Sequence, residues 1–134
     1  MLIAYWCVLI AAVMPIGFVG YAKFAGQRKL GPQANHDPRA WLERTEGAQR
    51  RAWCAQQNGF EAFPPFAAGV IIAAIAGAPA VAMNVLAVLF VLLRLLYGWC
   101  YISDRASLRS TVWFAATLCT VVLFFLPLFG SAMP

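Results

Sequence analysis

With 134 residues, 63% of them hydrophobic and only 11% charged, and a mean hydropathy of +0.74, the chain is too apolar for a soluble domain of this size. Strict alternation of apolar and polar residues is missing, which excludes a membrane β-barrel and leaves membrane-spanning helices. The net charge of +5 does not point to nucleic acid, because the basic residues cluster beside apolar segments, where lipid headgroups and membrane orientation account for them.

Leu2 to Ala22 is uncharged and long enough to cross a bilayer, with no basic residue before it of the kind that starts a secretory signal peptide. It predicts a first helix over residues 2–25, with Pro15 and Gly17 expected to bend it mid-span. Lys23, Arg28 and Lys29 mark its exit. Residues 26–48 are rich in Gly, Pro, Asn and charge and form the one substantial loop. Within it Asp37 reads as the N-cap of a short surface helix that starts at Pro38 and carries Trp41 and Leu42. His36 is the only histidine and has no clustered cysteine, so it reads as a solvated loop residue and no metal site is expected.

A second helix is predicted over residues 49–76, about 40 Å at 1.5 Å per residue, so its first turns extend beyond the hydrocarbon core. Pro64 and Pro65 are expected to interrupt its hydrogen-bond ladder. Gly77-Ala78-Pro79 reads as a tight hairpin to a third helix over residues 80–102, and SDRAS connects that helix to a fourth over 109–131. The four cysteines, Cys7, Cys54, Cys100 and Cys119, show no CxxC spacing and read as free. Seven of the ten Lys and Arg residues lie between Lys23 and Arg51, and two more lie within 103–109. Both charged connections are therefore expected in the cytoplasm, with both termini on the other side of an up-down-up-down four-helix bundle.

From Ala52 to Leu93 the only charge is Glu61. An ionisable group at membrane depth is costly unless paired or solvated, which makes it a functional candidate. At 3.6 residues per turn, Arg51, Cys54, Asn58, Glu61 and Pro65 share one stripe of the second helix. The third helix carries Arg94, with Tyr97 and Tyr101 on the same face. Glu61 and Arg94 are expected to pair directly, each being otherwise uncompensated. A plain reading of Glu61 as half of a helix-holding ion pair stays open, as does one of Arg105 and Arg109 as cytoplasmic anchors at a helix end. With Arg28, Lys29, Arg51, Asn58, Glu61, Arg94, Tyr97, Tyr101, Arg105, Arg109 and Ser110 at the cytoplasmic level, the bundle offers a polar pocket. It suits a ligand with carboxylates, an ammonium and a group that gains from a nearby guanidinium. Glutathione has all three, its thiol being the group whose ionisation an arginine promotes.

RAWCAQQNGFEAFPPF, RLLYGWCY and RASLRS together resemble the MAPEG family, the membrane-associated proteins in eicosanoid and glutathione metabolism. The resemblance covers nearly the whole chain. It implies a homotrimer in the bilayer with glutathione as cosubstrate between adjacent subunits, a lipophilic electrophile as the second substrate, and transferase or peroxidase activity. Asn58 and Glu61 would hold the peptide, Arg94, Tyr97 and Tyr101 would line the site, and Arg109 would stabilise the thiolate with help from Ser110. Arg28 matches a basic residue at the end of the first helix, and Arg51 and Arg105 complete the basic rim. Cys54 stands where several members carry an arginine, with Arg51 one turn earlier, and Trp113 stands where some carry a tyrosine. A small member of bacterial type places the chain in an inner membrane, with the site open to the cytoplasm. Two other readings remain: a four-helix exporter, whose intramembrane Glu sits in a first helix that here has none, and a structural membrane protein with a vestigial pocket.

Overall fold

The computed structural model describes residues 2–130, and among these there are helices and turns but no strand. Four long helices form an antiparallel bundle: α1 (Leu2–Phe24), α3 (Gly47–Ile75), α4 (Ala80–Ile102) and α5 (Ala106–Phe125). Each of these segments is long and apolar enough to cross a membrane. Between α1 and α3 come a 3₁₀ turn, Ala34–His36, and a short α2 (Pro38–Glu43), whose first turn is capped by Asp37 Oδ1 accepting the Ala40 N–H at 3.2 Å. A second 3₁₀ turn, Leu126–Phe129, follows α5.

The helix ends differ from the sequence reading in instructive places. The last span begins at Ala106 instead of 109, because the chain re-enters helix directly after Arg105, and residue 131 of the expected span lies outside the described residues. The prolines take a donor out of the hydrogen-bond ladder, as expected, without ending the helix: α1 continues through Pro15, and α3 through Pro64 and Pro65. Losing a few backbone donors is tolerated where packing holds the turn on both sides.

Packing is closest between α1 and α3 and between α4 and α5, and α3 and α4 form the central pair. Small residues on α1, namely Ala4, Cys7 and Ala11, allow that helix to lie close against the core. At Gly59 of α3 a Cβ would come within 2.7 Å of the Pro15 ring, so only glycine permits this crossing. The centre is filled by Phe66, Val70, Met83, Phe90 and Leu123, with Phe66 and Phe90 stacked at a centroid distance of 3.8 Å. The outward faces are apolar, as a surface facing lipid tails requires: Ile16, Ile75, Val81 and Phe114 are all more than half exposed.

Two backbone motifs close the hairpins. At the end of α3, Ala78 N–H donates to Ala73 O at 2.9 Å and Gly77 N–H to Ala74 O at 3.4 Å, with Gly77 at φ 72°. This is a Schellman closure, and Pro79 then prevents the helix from continuing. At the end of α4, Arg105 N–H donates to Cys100 O at 2.8 Å and Asp104 N–H to Tyr101 O at 3.2 Å, with Asp104 at φ 60°. Asn84 Oδ1 accepts from Ala4 N–H at 3.1 Å, which ties the starts of α1 and α4 together at the uncharged end. The charged loop and the 103–105 connection therefore share the other end of the bundle.

Candidate functional site

At the charged end, three helices bring their polar residues into one continuous row. Asn58 on α3 lies one turn before Glu61, so the two side chains sit on the same face. Asn58 Nδ2 donates to Glu61 Oε2 at 3.2 Å, and Asn58 Oδ1 accepts from Arg94 Nη2 of α4 at 2.9 Å. An amide is suited to this position because it donates to an anion and accepts from a cation at once. Glu61 and Arg94 therefore do not form the direct pair expected from the sequence. Arg94 meets the amide first, while the Glu61 carboxylate extends to the exposed surface of the chain.

The row continues through ring faces. The Arg94 guanidinium lies 4.2 Å from the Tyr97 ring centroid, Tyr97 meets Tyr101 edge-on at 5.6 Å, and the Arg109 guanidinium of α5 lies 4.3 Å from the Tyr101 centroid. Each cation over a ring contributes about 0.5–2 kcal/mol, more where water is excluded. Cys54 of α3 lies beside the Tyr101 hydroxyl. Arg94 is only 4% exposed, and of its five N–H donors one has an acceptor among the described residues. The guanidinium thus keeps donors for a ligand. An apolar groove of about 230 Å³ opens beside it, lined among others by Pro65, Phe90, Thr117, Thr120 and Phe124.

The remaining sequence candidates are placed differently. Arg51 donates from Nε and Nη2 to the Ile102 carbonyl at 3.2 and 3.0 Å, closing the open end of α4 from α3. Arg105 is exposed and lies 5.1 Å over the Trp99 ring, outside the row. Ser110, exposed one residue after Arg109, donates its hydroxyl to the Ala106 carbonyl at 3.2 Å. Arg28 is in the loop after α1, where its backbone is held by Gln49 and its side chain is exposed. It is not brought into the row.

Gln49 itself has no motif to announce it. Its amide donates to the carbonyls of Ala22 at 2.9 Å and Arg28 at 2.6 Å, and its Oε1 accepts from Arg28 N–H at 3.4 Å. One buried side chain thus fixes the exit of α1 and the start of the loop against α3. Gly26 is required beside it, since the Gln49 side chain fills the space a Cβ would take. No periodicity in the sequence distinguishes this glutamine from its half-buried neighbours Ala48 and Arg50. Thr117 and Thr120 are equally silent, becoming groove residues only because α5 packs beside α3 and α4.

No curated protein and no solved structure matches the chain. The MAPEG family model matches residues 3–129, a stretch that takes in the four long helices but for Leu2 and every member of the row. The chain therefore belongs to the MAPEG family, a family of membrane proteins of glutathione and eicosanoid metabolism.

Proposed function

We propose that the protein is a glutathione-dependent membrane transferase or peroxidase acting on lipophilic electrophiles, with the site built on the row from Glu61 to Arg109. The observation that carries this reading is the row itself: a carboxylate, an amide, two guanidiniums and two phenols in sequence across α3, α4 and α5, beside an apolar groove. Glu61 takes the ammonium of glutathione, and Arg94 offers its free donors to a carboxylate. Tyr97 and Tyr101 line the space between. Arg109 faces the thiol and favours its thiolate, and Ser110 supplies a further donor when its hydroxyl turns from Ala106. In conjugation the thiolate sulfur forms a bond to the electrophilic carbon, and the leaving group departs with its electron pair. In peroxide reduction two glutathione thiols become a disulfide while the peroxide leaves as alcohol and water.

Glu61 is exposed on a single protomer, yet it lies about 21 Å along α3, within the span. A carboxylate facing lipid at this depth is costly, and a second copy of the chain covering that face removes the cost. This supports a homotrimer with the row at a subunit boundary. Arg51 is already committed to the Ile102 carbonyl, so it compensates poorly for the arginine that Cys54 replaces, and glutathione is held less tightly than in members that keep it. The charge bias of the connections supports a site open to the cytoplasm of an inner membrane.

Equilibrium binding of glutathione to the detergent-purified protein, with its mass measured in the same detergent, tests both parts. Saturable binding to a trimer is expected. A monomer that binds glutathione sinks the subunit arrangement alone, whereas a trimer without affinity leaves a structural protein with a vestigial pocket.

A further inference from the structure

A second cavity lies away from the row, on the other side of the start of α3. It is an open groove of about 710 Å³ between the end of α1 and the α2–α3 connection, lined among others by Tyr21, Arg28, Arg44, Glu46 and Gln49. Gln49 ties its floor together, its three hydrogen bonds joining the end of α1 and the loop to the start of α3. Arg28 and Arg44 are both exposed, and neither guanidinium is engaged by another described side chain. Glu46, which begins α3, does not cap the helix with its carboxylate and is exposed as well. Two cations and one anion thus line one preformed hollow with their charges unspent on the protein.

The level of this groove decides what fits it. Lys23 is the first charge after the uncharged span of α1, so the groove opens where the hydrocarbon gives way to headgroups. Tyr21 in its wall and Phe24 one turn further on are exposed on α1, Phe24 at 60%, and give the groove an apolar flank at the membrane surface. We infer that the groove is a lipid site, taking a phosphodiester headgroup that carries a primary ammonium, of the phosphatidylethanolamine type, with its acyl chains along Tyr21 and Phe24. Arg28 and Arg44 take the phosphate, for which the planar guanidinium is suited. Glu46 takes the ammonium. A headgroup with a phosphate and no ammonium leaves Glu46 facing an anion, and a quaternary ammonium has no N–H to donate to it. The binding of this lipid is independent of glutathione, whose proposed contacts all lie in the row.

The test uses the full-length protein in detergent, offered an equimolar mixture of phosphatidylethanolamine, phosphatidylglycerol and phosphatidylcholine, with bound lipid read by native mass spectrometry. Phosphatidylethanolamine should be retained about fivefold over each of the others, a preference equivalent to about 1 kcal/mol. Combining Arg28→Ala with Arg44→Ala should bring the three lipids to parity, and Glu46→Gln should shift the preference toward phosphatidylglycerol. The exposed positions leave the fold intact, and the doubly substituted Arg28→Lys, Arg44→Lys protein should recover part of the binding. Equal retention of the three lipids by the wild type, or an unchanged preference in the doubly substituted alanine variant, overturns the site. Displacement of the lipid by water-soluble glycerophosphoethanolamine at equal concentration overturns the membrane source of the ligand. Displacement by glutathione overturns the independence of the groove from the row.

Discussion

The two ends of the bundle use the same backbone device for different purposes. At the uncharged end the α3 closure is made by Gly77 in the left-handed region, and its hydrogen bonds all come from its own backbone. At the charged end the α4 closure has the same hydrogen-bond pattern, but Asp104 stands where glycine is preferred, and Arg51 reaches across from α3 to the Ile102 carbonyl. A locally sufficient turn needs no partner, whereas one built from a less suitable residue is held by tertiary contacts that also position Tyr101 and Arg109. The packing follows the same division. Below the row, Phe66, Met83 and Leu123 are wholly buried among apolar neighbours; in the row itself, a single amide and a few ring faces hold buried charge.

This contrast can be broken at several points. The largest loss of stability should come from the apolar end: Phe66→Ala removes a fully buried ring stacked on Phe90 and should cost about 3–5 kcal/mol. Unfolding of the purified protein by dodecyl sulfate in mixed micelles measures it, and a loss near zero would mean that this core does not support the bundle. In the row, Asn58→Ala leaves the buried Arg94 without its acceptor and should cost about 1.5–3 kcal/mol, the range for a hydrogen bond to a charged group. The same variant should lose glutathione binding, while Phe66→Ala should keep it in whatever fraction remains folded. Equal stability of Asn58→Ala and wild type would show that Arg94 finds another acceptor.

At Arg109 the functional effect should outweigh the effect on stability, which is limited to the contact over the Tyr101 ring, about 0.5–2 kcal/mol. If its guanidinium favours the bound thiolate, Arg109→Ala raises the thiol's pKa, and a rise of one unit corresponds to about 1.4 kcal/mol. The sign is fixed: the thiolate fraction at neutral pH falls and the pH–rate curve moves to higher pH. Arg109→Lys should restore part of the shift, since the charge remains without the planar fork. Thiolate absorbance of the glutathione complex against pH decides the matter, and superimposable titrations for the three proteins would make Arg109 an anchor. The smallest effects should come from the two closures and should be opposite in sign. Gly77→Ala forces a side chain into φ 72° and should cost about 1 kcal/mol, whereas Asp104→Gly relieves φ 60° and should gain about 0.5–1 kcal/mol. Stabilisation by both, or by neither, in the dodecyl sulfate titration would erase the distinction between the ends.

Much of this molecule is legible without coordinates. The four spans follow from uncharged length, the Gly77 turn from its own dipeptide chemistry, and the Asp37 cap from a polar residue placed before Pro38. Asn58 with Glu61, and Arg94 with Tyr97 and Tyr101, could be grouped because each set lies on one helix, where a 3.6-residue period decides which residues share a face. What the period cannot give is the partner on another helix. That Asn58 stands between Glu61 and Arg94, that Arg51 closes α4, that Gln49 fastens α1 and that Arg28 falls outside the row were all decided by which helices pack together and at what height. Sequence determines the periodic and local features because they arise from one stretch of backbone and the solvent around it. Tertiary structure decides the rest, because a hydrogen bond between helices depends on their relative rotation and depth, which packing across the whole bundle sets.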